Sequence, residues 1–122
     1  MLKYRPYIDI FLTKLKESFE IVVYTTASHE YSQVIIRQIQ KVGRYFDYCL
    51  CESHLVLEEG KVVKDYGRIG RDPRKMVIVG HARPEGKKFR SNFLEVSEWS
   101  GDKSDRSLYK LTNVLWGKDE IN

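Results

Sequence analysis

Phe19-Glu-Ile-Val-Val-Tyr-Thr-Thr-Ala-Ser28 is the stretch on which the fold turns. Its apolar, β-branched run climbs from Ile21 to Tyr24 and breaks into four small or hydroxyl-bearing residues, with a helical pattern directly behind. A buried parallel strand has this form. It delivers its last side chains to the open edge of an α/β sheet, where such folds place their ligand sites. Thr25 stands at that corner.

Upstream, Pro6 suits the first position of a helix, where a missing N–H is harmless. Ile8, Phe11, Leu12 and Leu15 then recur at helical spacing, opposite Asp9, Lys14, Lys16 and Glu17. Downstream, Ser28 is an N-cap for a second helix whose apolar face is Tyr31, Val34, Ile35, Ile39 and Val42, and Gly43 closes it. Phe46 to Cys51 reads as a second strand. Leu55–Leu57 and Val62–Val63 flank Glu58-Glu-Gly-Lys61, a hairpin in which glycine supplies the positive φ. Lys64 to Pro73 is a polar connector, and Met76–Val79 is a continuous apolar run expected to be a strand buried on both faces. A basic loop, Ala82 to Asn92, leads to a last strand at Phe93–Val96. Ser104 or Asp105 caps a final helix carrying Leu108, Leu111, Val114 and Leu115. Strands alternating with helices imply an α/β fold with a mostly parallel sheet, embellished by the hairpin.

A chain of 122 residues suits one domain, 1–122, with a single core. Hydrophobic residues at 42% and charged residues at 31% describe a globular protein rather than a disordered one. The net charge of +4 is too modest to argue for RNA, and no nucleic-acid recognition signature accompanies it. No apolar run approaches the roughly 18 residues that cross a bilayer, so no transmembrane segment is expected, and the N-terminus carries no apolar signal segment. Cys49 and Cys51, two apart in a strand, point the same way and do not form a disulfide framework; a reducing compartment is expected.

Several segments together resemble the haloacid-dehalogenase-class phosphatase domain that acts on the RNA polymerase II tail. Arg5-Pro6-Tyr-Ile-Asp-Ile-Phe-Leu12 is similar to that family's R-P-G-x-D-E-F-L. Phe19–Thr25 resembles its F-E-I-V-[IL]-[FY]-T, and Tyr31 matches a later family tyrosine. Val63-Lys-Asp-Tyr-Gly-Arg-Ile-Gly-Arg-Asp72 resembles V-K-D-L-S-x-L-G-R-D, and Val77–Val79, Trp99, Ser104-Asp105 and Leu108 follow in order. The same family includes the degenerate receptor subunit of the mitochondrial presequence translocase. Trp99-Ser-Gly-Asp-Lys-Ser-Asp-Arg106 is closer to that subgroup's W-x-G-x-x-D-D-R, whereas Tyr24–Ala27 is more phosphatase-like. The fold implied is a reduced haloacid-dehalogenase-like, Rossmannoid parallel sheet flanked by helices, with an inserted hairpin.

The resemblance implies a phosphoryl-transfer site of four parts. A strand ending in D-x-D-x-T supplies nucleophile and acid/base; no D-x-D occurs in these 122 residues. A strand-end hydroxyl binds the phosphoryl oxygens, matched by Thr25, and a lysine offsets charge, matched by Lys64. An acidic pair holds Mg²⁺, but Gly80 and His81 occupy its positions. The expectation is a catalytically inactive domain that needs no cofactor, with Thr25 and Lys64 as vestigial phosphate-site residues. Thr25 also has a local reading, its hydroxyl capping nearby backbone. Cys49, Cys51 and His54 read as structural residues rather than metal ligands. Arg83, Lys87, Lys88 and Arg90 are the candidate residues for binding an anion or an acidic partner.

The strand that would carry D-x-D-x-T is the central one in this class, between the strands of Ile21–Tyr24 and Met76–Val79. The expectation is therefore a domain shortened at its N-terminus, with two inner strands in need of pairing. They pair with each other, accept a strand from a protein partner, or belong to a longer product. The leading function is a phosphatase-like protein-interaction module within a larger complex, translocase-receptor-like in one form. The alternatives are an active Mg²⁺-dependent serine/threonine phosphatase whose catalytic strand lies outside this chain, and a ribonucleoprotein-associated subunit.

Overall fold

The apolar run Ile21–Tyr24 forms strand β1 (Val22–Tyr24), and the segment after it turns at once into helix α2 (His29–Ile39). That helix returns the chain to β2 (Tyr48–Leu50), which lies parallel to β1 with Val22 opposite Tyr48 and Tyr24 opposite Leu50. This is a β-α-β unit, as the alternation of patterns implied. The structure is a computed structural model that describes residues 3–40, 43–84 and 89–116. The chain divides into two compact units. One runs from Leu12 to Asp65; the other takes Lys3–Phe11 and the described residues from Tyr66 onward. Helix α1 (Ile8–Ser18) contributes its first residues to the second of these and its remainder to the first.

Within the Leu12–Asp65 unit, backbone bonds continue the β1–β2 ladder past the strands themselves. Asp47 N–H donates to Ile21 C=O, Thr25 N–H to Leu50 C=O, and Glu52 N–H to Ala27 C=O. Ser28 caps α2 as expected, its Oγ accepting the Tyr31 N–H at 3.2 Å. The buried face of α2 is rotated from the expected one: Tyr31 and Val34 are 60% and 46% exposed, whereas Ser32 is buried. Ser32 satisfies its hydroxyl by donating to His29 C=O at 2.8 Å, so a residue that reads as polar can face inward. Nor does Gly43 end the helix. Gln40 does, its own N–H bonding Ile36 C=O while its Oε1 accepts the N–H groups of Tyr45 and Phe46, both at 2.9 Å. Val42, assigned to the helix face from sequence, lies outside the described residues.

The hairpin forms where expected. Strands β3 (Val56–Glu58) and β4 (Lys61–Val63) pair antiparallel, with Glu58 opposite Lys61. Glu59 and Gly60 both have positive φ, 51° and 78°, the signature of a two-residue type I′ loop whose twist matches the strands. Beside it, Asp47 anchors the entry to β1 by accepting the Ile21 N–H and pairing with Lys16 at 2.8 Å.

In the other unit, β5 (Ile78–Gly80) runs parallel to β6 (Phe93–Glu95), and Val96 N–H bonds Gly80 C=O beyond the register. Asn92 ties the turn before β6 to the Pro73 and Met76 carbonyls. The run Met76–Val79 is not a strand buried on both faces: Val77 and Val79 are 44% and 38% exposed. The side chains of Val77 and Val79 alternate with that of Ile78, so the face they share is the open one. The described strands thus form three two-stranded pairs, two parallel and one antiparallel. With three α-helices, the fold is α/β. Helix α3 (Ser107–Trp116) buries Leu108, Leu111 and Thr112, whereas Val114, assigned to its apolar face, is exposed.

Pro6 precedes α1 rather than opening it. Ile8 N–H bonds Arg5 C=O at 3.2 Å, so Pro6 and Tyr7 are the central residues of a turn, and Tyr7 has φ 69°. That position suits glycine, the residue of the R-P-G pattern, and a non-glycine side chain there costs about 1–2 kcal/mol. The ring of Tyr7 is held by contacts that offset the strain. It lies 5.5 Å from the Tyr109 ring, and the Arg106 guanidinium sits 6.0 Å from Tyr7 and 4.8 Å from Tyr109. Tyr7→Ala keeps the strain and loses the contacts, so urea denaturation should show a loss of about 1–2 kcal/mol. Tyr7→Gly should be more stable than Tyr7→Ala by about 1 kcal/mol, because only the alanine retains the left-handed penalty.

Candidate functional site

The corner after β1 sits in the Leu12–Asp65 unit, and its chemistry follows from three neighbouring side chains. Thr25 is held by its N–H on Leu50 C=O, at 2.9 Å. Its Oγ1 accepts the Ala27 N–H at 3.1 Å, the local capping role that a threonine at a strand end commonly takes. The hydroxyl's own hydrogen has no acceptor among the described residues, which leaves it able to donate.

Lys64 leaves the hairpin directly after β4, and its Nζ lies 5.8 Å from the centre of the Tyr24 ring. Half-burial pushes its pKa down from the ordinary lysine value, and it has no ion pair with any described carboxylate. Tyr24 precedes Thr25 in the chain, and its ring is the one that Lys64 approaches. Its phenol donates to His54 C=O at 3.0 Å and accepts the Asp65 N–H at 3.2 Å. Lys64 is thus a partly dehydrated cation, which suits an anion and does nothing for a cation.

The positions of the acidic pair are at the end of β5, in the other unit. Gly80 closes the strand and His81 follows it, exposed. Gly80 is not required by the backbone: a Cβ there would meet Phe93 Cε1 at 3.5 Å, an ordinary contact, and its φ is not left-handed. Side chain, not space, is what is lacking. Glycine supplies no oxygen and imidazole is a poor Mg²⁺ ligand, so these residues do not fit the ion that the resemblance implies. Of the basic group, Arg83 is exposed, Arg90 opens a short 3₁₀ turn with Ser91 and Asn92, and Lys87 and Lys88 lie outside the described residues.

Cys51, Ser53 and His54 form a local cap. Cys51 N–H donates to His54 Nδ1 at 2.9 Å, and the Cys51 and Ser53 side chains meet at 3.5 Å, which accounts for the histidine in structural terms. Cys49 is part-buried, and desolvation pushes its thiol pKa up, away from reactive thiolate.

Two further residues of the resemblance have a role that sequence reading missed. Arg5, of the R-P segment, and Asp105, of the S-D segment, form an ion pair at 2.7 Å, with a second contact at 3.3 Å. Asp105 also takes the Ser107 N–H and hydroxyl, starting α3 as the capping expectation had it. Each segment was visible alone; that they meet across 100 residues was not.

Thr25 thus stands at the end of the first strand of a β-α-β unit, and Lys64 follows the hairpin of the same unit. The chain belongs to the NLI interacting factor-like phosphatase family, whose model matches residues 1–120. It is 32% identical over 111 residues to a probable C-terminal domain small phosphatase of Dictyostelium discoideum, covering 91% of this chain and 36% of that protein. Carboxy-terminal domain RNA polymerase II polypeptide A small phosphatase 2 of Mus musculus is 32% identical over 120 residues, covering 96% of this chain and 44% of the relative. The mitochondrial import inner membrane translocase subunit TIM50 of Yarrowia lipolytica is 29% identical over 111 residues, 91% of this chain and 24% of the relative. The chain thus spans less than half the length of these relatives.

The hydrogen bond from Arg5 holds the Asp105 carboxyl below the usual carboxylate range, with Ser107 adding to it. Because the folded pKa is depressed, the stabilisation is present above the unfolded value of about 3.9 and is lost as pH falls through the folded value. Denaturant midpoints measured from pH 7 down to about pH 3 should therefore decline in acid. Asp105→Asn should lower the midpoint at pH 7 and flatten that decline.

Proposed function

We propose that this domain binds rather than hydrolyses: a phosphatase-like module of the family, a single domain over residues 1–122, working as a subunit of a larger protein assembly. The observation that carries the reading is Gly80-His81 at the end of β5, where the family's metal-holding acidic pair is implied. Phosphoryl transfer depends on positioning and on offsetting charge around the transferred group, and a cofactor ion cannot be held by a glycine and an exposed imidazole. The absence of any D-x-D within these residues removes the aspartyl nucleophile from this chain as well.

The open faces support the assembly half of the reading. Among the described residues, β1 and β5 are each open to further pairing. Each carries a ladder on one edge, and Val77 and Val79 are exposed apolar residues of the second strand or its approach. A strand from a protein partner would supply the backbone bonds and apolar cover that this edge lacks. Similarity to translocase subunits makes a receptor-like role in protein import one form of the assembly. No described helix is long and apolar enough to cross a membrane.

A second reading keeps a specific observation: Thr25 and Lys64 retain donors suited to phosphate, and the phosphatase relatives are more than twice this chain's length. An active serine/threonine phosphatase would need the D-x-D-x-T strand from outside these residues. Contact with RNA is the weaker alternative, resting on exposed Arg83 and the mild basic balance.

Incubated with a phosphoserine peptide and Mg²⁺, the purified chain should release phosphate no faster than buffer. Gly80→Asp combined with His81→Asp should leave that result unchanged, since the nucleophile is still lacking. Turnover by the unmodified chain would sink the proposal, and partners copurifying with the native protein would identify the assembly.

A further inference from the structure

Tyr24 makes an arrangement that no other residue of the corner could make. His54, whose carbonyl takes the phenol proton, lies just before β3; Asp65, whose N–H the same oxygen accepts, lies just after β4. One hydroxyl therefore ties together both roots of the hairpin and fastens them to the end of β1. The resemblance allows phenylalanine or tyrosine here. Phenylalanine would give the same ring and neither hydrogen bond.

We infer that Tyr24 is a positioning residue, whose phenol closes the hairpin's base and thereby holds the Lys64 ammonium over its ring at the anion-binding corner. The inference deepens the binding-module reading, on which it rests, by stating how a phosphoryl-type anion would still be held. Lys64 directly precedes Asp65, so fixing the Asp65 N–H on the phenol fixes the backbone from which the lysine side chain springs. The ring then serves as a platform: Nζ at 5.8 Å from the centroid lies within cation–π reach. Burial removes water from the ammonium, and no described carboxylate replaces it. A cation kept half-dehydrated without an ionic partner gains most from an arriving anion. Thr25, at the end of the same strand, spends its oxygen on the Ala27 N–H and takes no part in the clamp.

The test is competitive acylation of lysines in the full-length chain as a function of pH, read by mass spectrometry. Lys75 and Lys110, both exposed, serve as internal references. In the wild type, Lys64 should titrate below the references and be protected by inorganic phosphate, but not by chloride at equal ionic strength. Tyr24→Phe should return the Lys64 profile towards the references and raise the phosphate needed for half-protection roughly three- to tenfold, the effect of losing one net hydrogen bond. Thr25→Ala should leave the Lys64 pH profile in place, because the clamp survives. An unchanged Lys64 profile in Tyr24→Phe, or a wild-type Lys64 that phosphate does not protect, overturns the inference. Should Tyr24→Phe fail to fold, hydrogen exchange on the wild type decides. The Asp65 amide should exchange at least tenfold more slowly than the turn amides of Glu59 and Gly60, and equal rates overturn the clamp. Hydrolysis of a phosphoserine peptide would count against the binding-module reading alone and leave Tyr24's role standing.

Discussion

The register of β1 against β2 is the constraint on which the Leu12–Asp65 unit depends. With Tyr24 opposite Leu50, backbone bonds extend from Ile21 to Ala27, well past the three-residue strands. That run stops the strand where Thr25 can take Leu50 C=O, and leaves its side chain to cap Ala27. A slip of one residue would reverse the faces of Tyr24 and Thr25 and dissolve the corner. Ser28 then starts α2, so the passage from strand to helix is fixed at both ends within a few residues.

The other unit has a comparable anchor of a different kind. Arg5 and Asp105 pair in a part-buried setting, with Ser107 satisfying the remaining carboxylate lone pairs. The geometry gives the R-P and S-D segments a structural purpose: the first brings a guanidinium, the second a carboxylate that also opens α3. Tyr7 shows how far this local arrangement can be altered. A glycine-type backbone position is occupied by a large side chain, and the strain is offset by packing against Tyr109 and Arg106.

Charge explains why the surviving chemistry points to binding. The corner retains its donors, Thr25 and Lys64, while the acidic positions at the end of β5 hold Gly80 and His81. An enzyme of this family type must manage a metal ion, a carboxylate nucleophile and a phosphate together, with the charges offsetting one another.

Much of the local structure was legible in the residues themselves. The Ser28 cap, the Glu59-Gly60 turn and the helices around Phe11 and Leu108 follow from short-range chemistry, in which a side chain meets backbone a few positions away. The family was legible through resemblance, carried by segments such as Phe19–Thr25 and Val63–Asp72. What the sequence alone did not determine depends on contacts between distant residues. Ser32 turns inward because its hydroxyl finds His29, Val77 and Val79 stay open because no described element covers their face, and Arg5 meets Asp105 from the far end of the chain. Tyr24 is the clearest case. Its aromatic ring could be read as strand core, but only the folded chain brings His54 and Asp65 to the same phenol oxygen, because hydrogen bonding is directional and sequence order carries no direction.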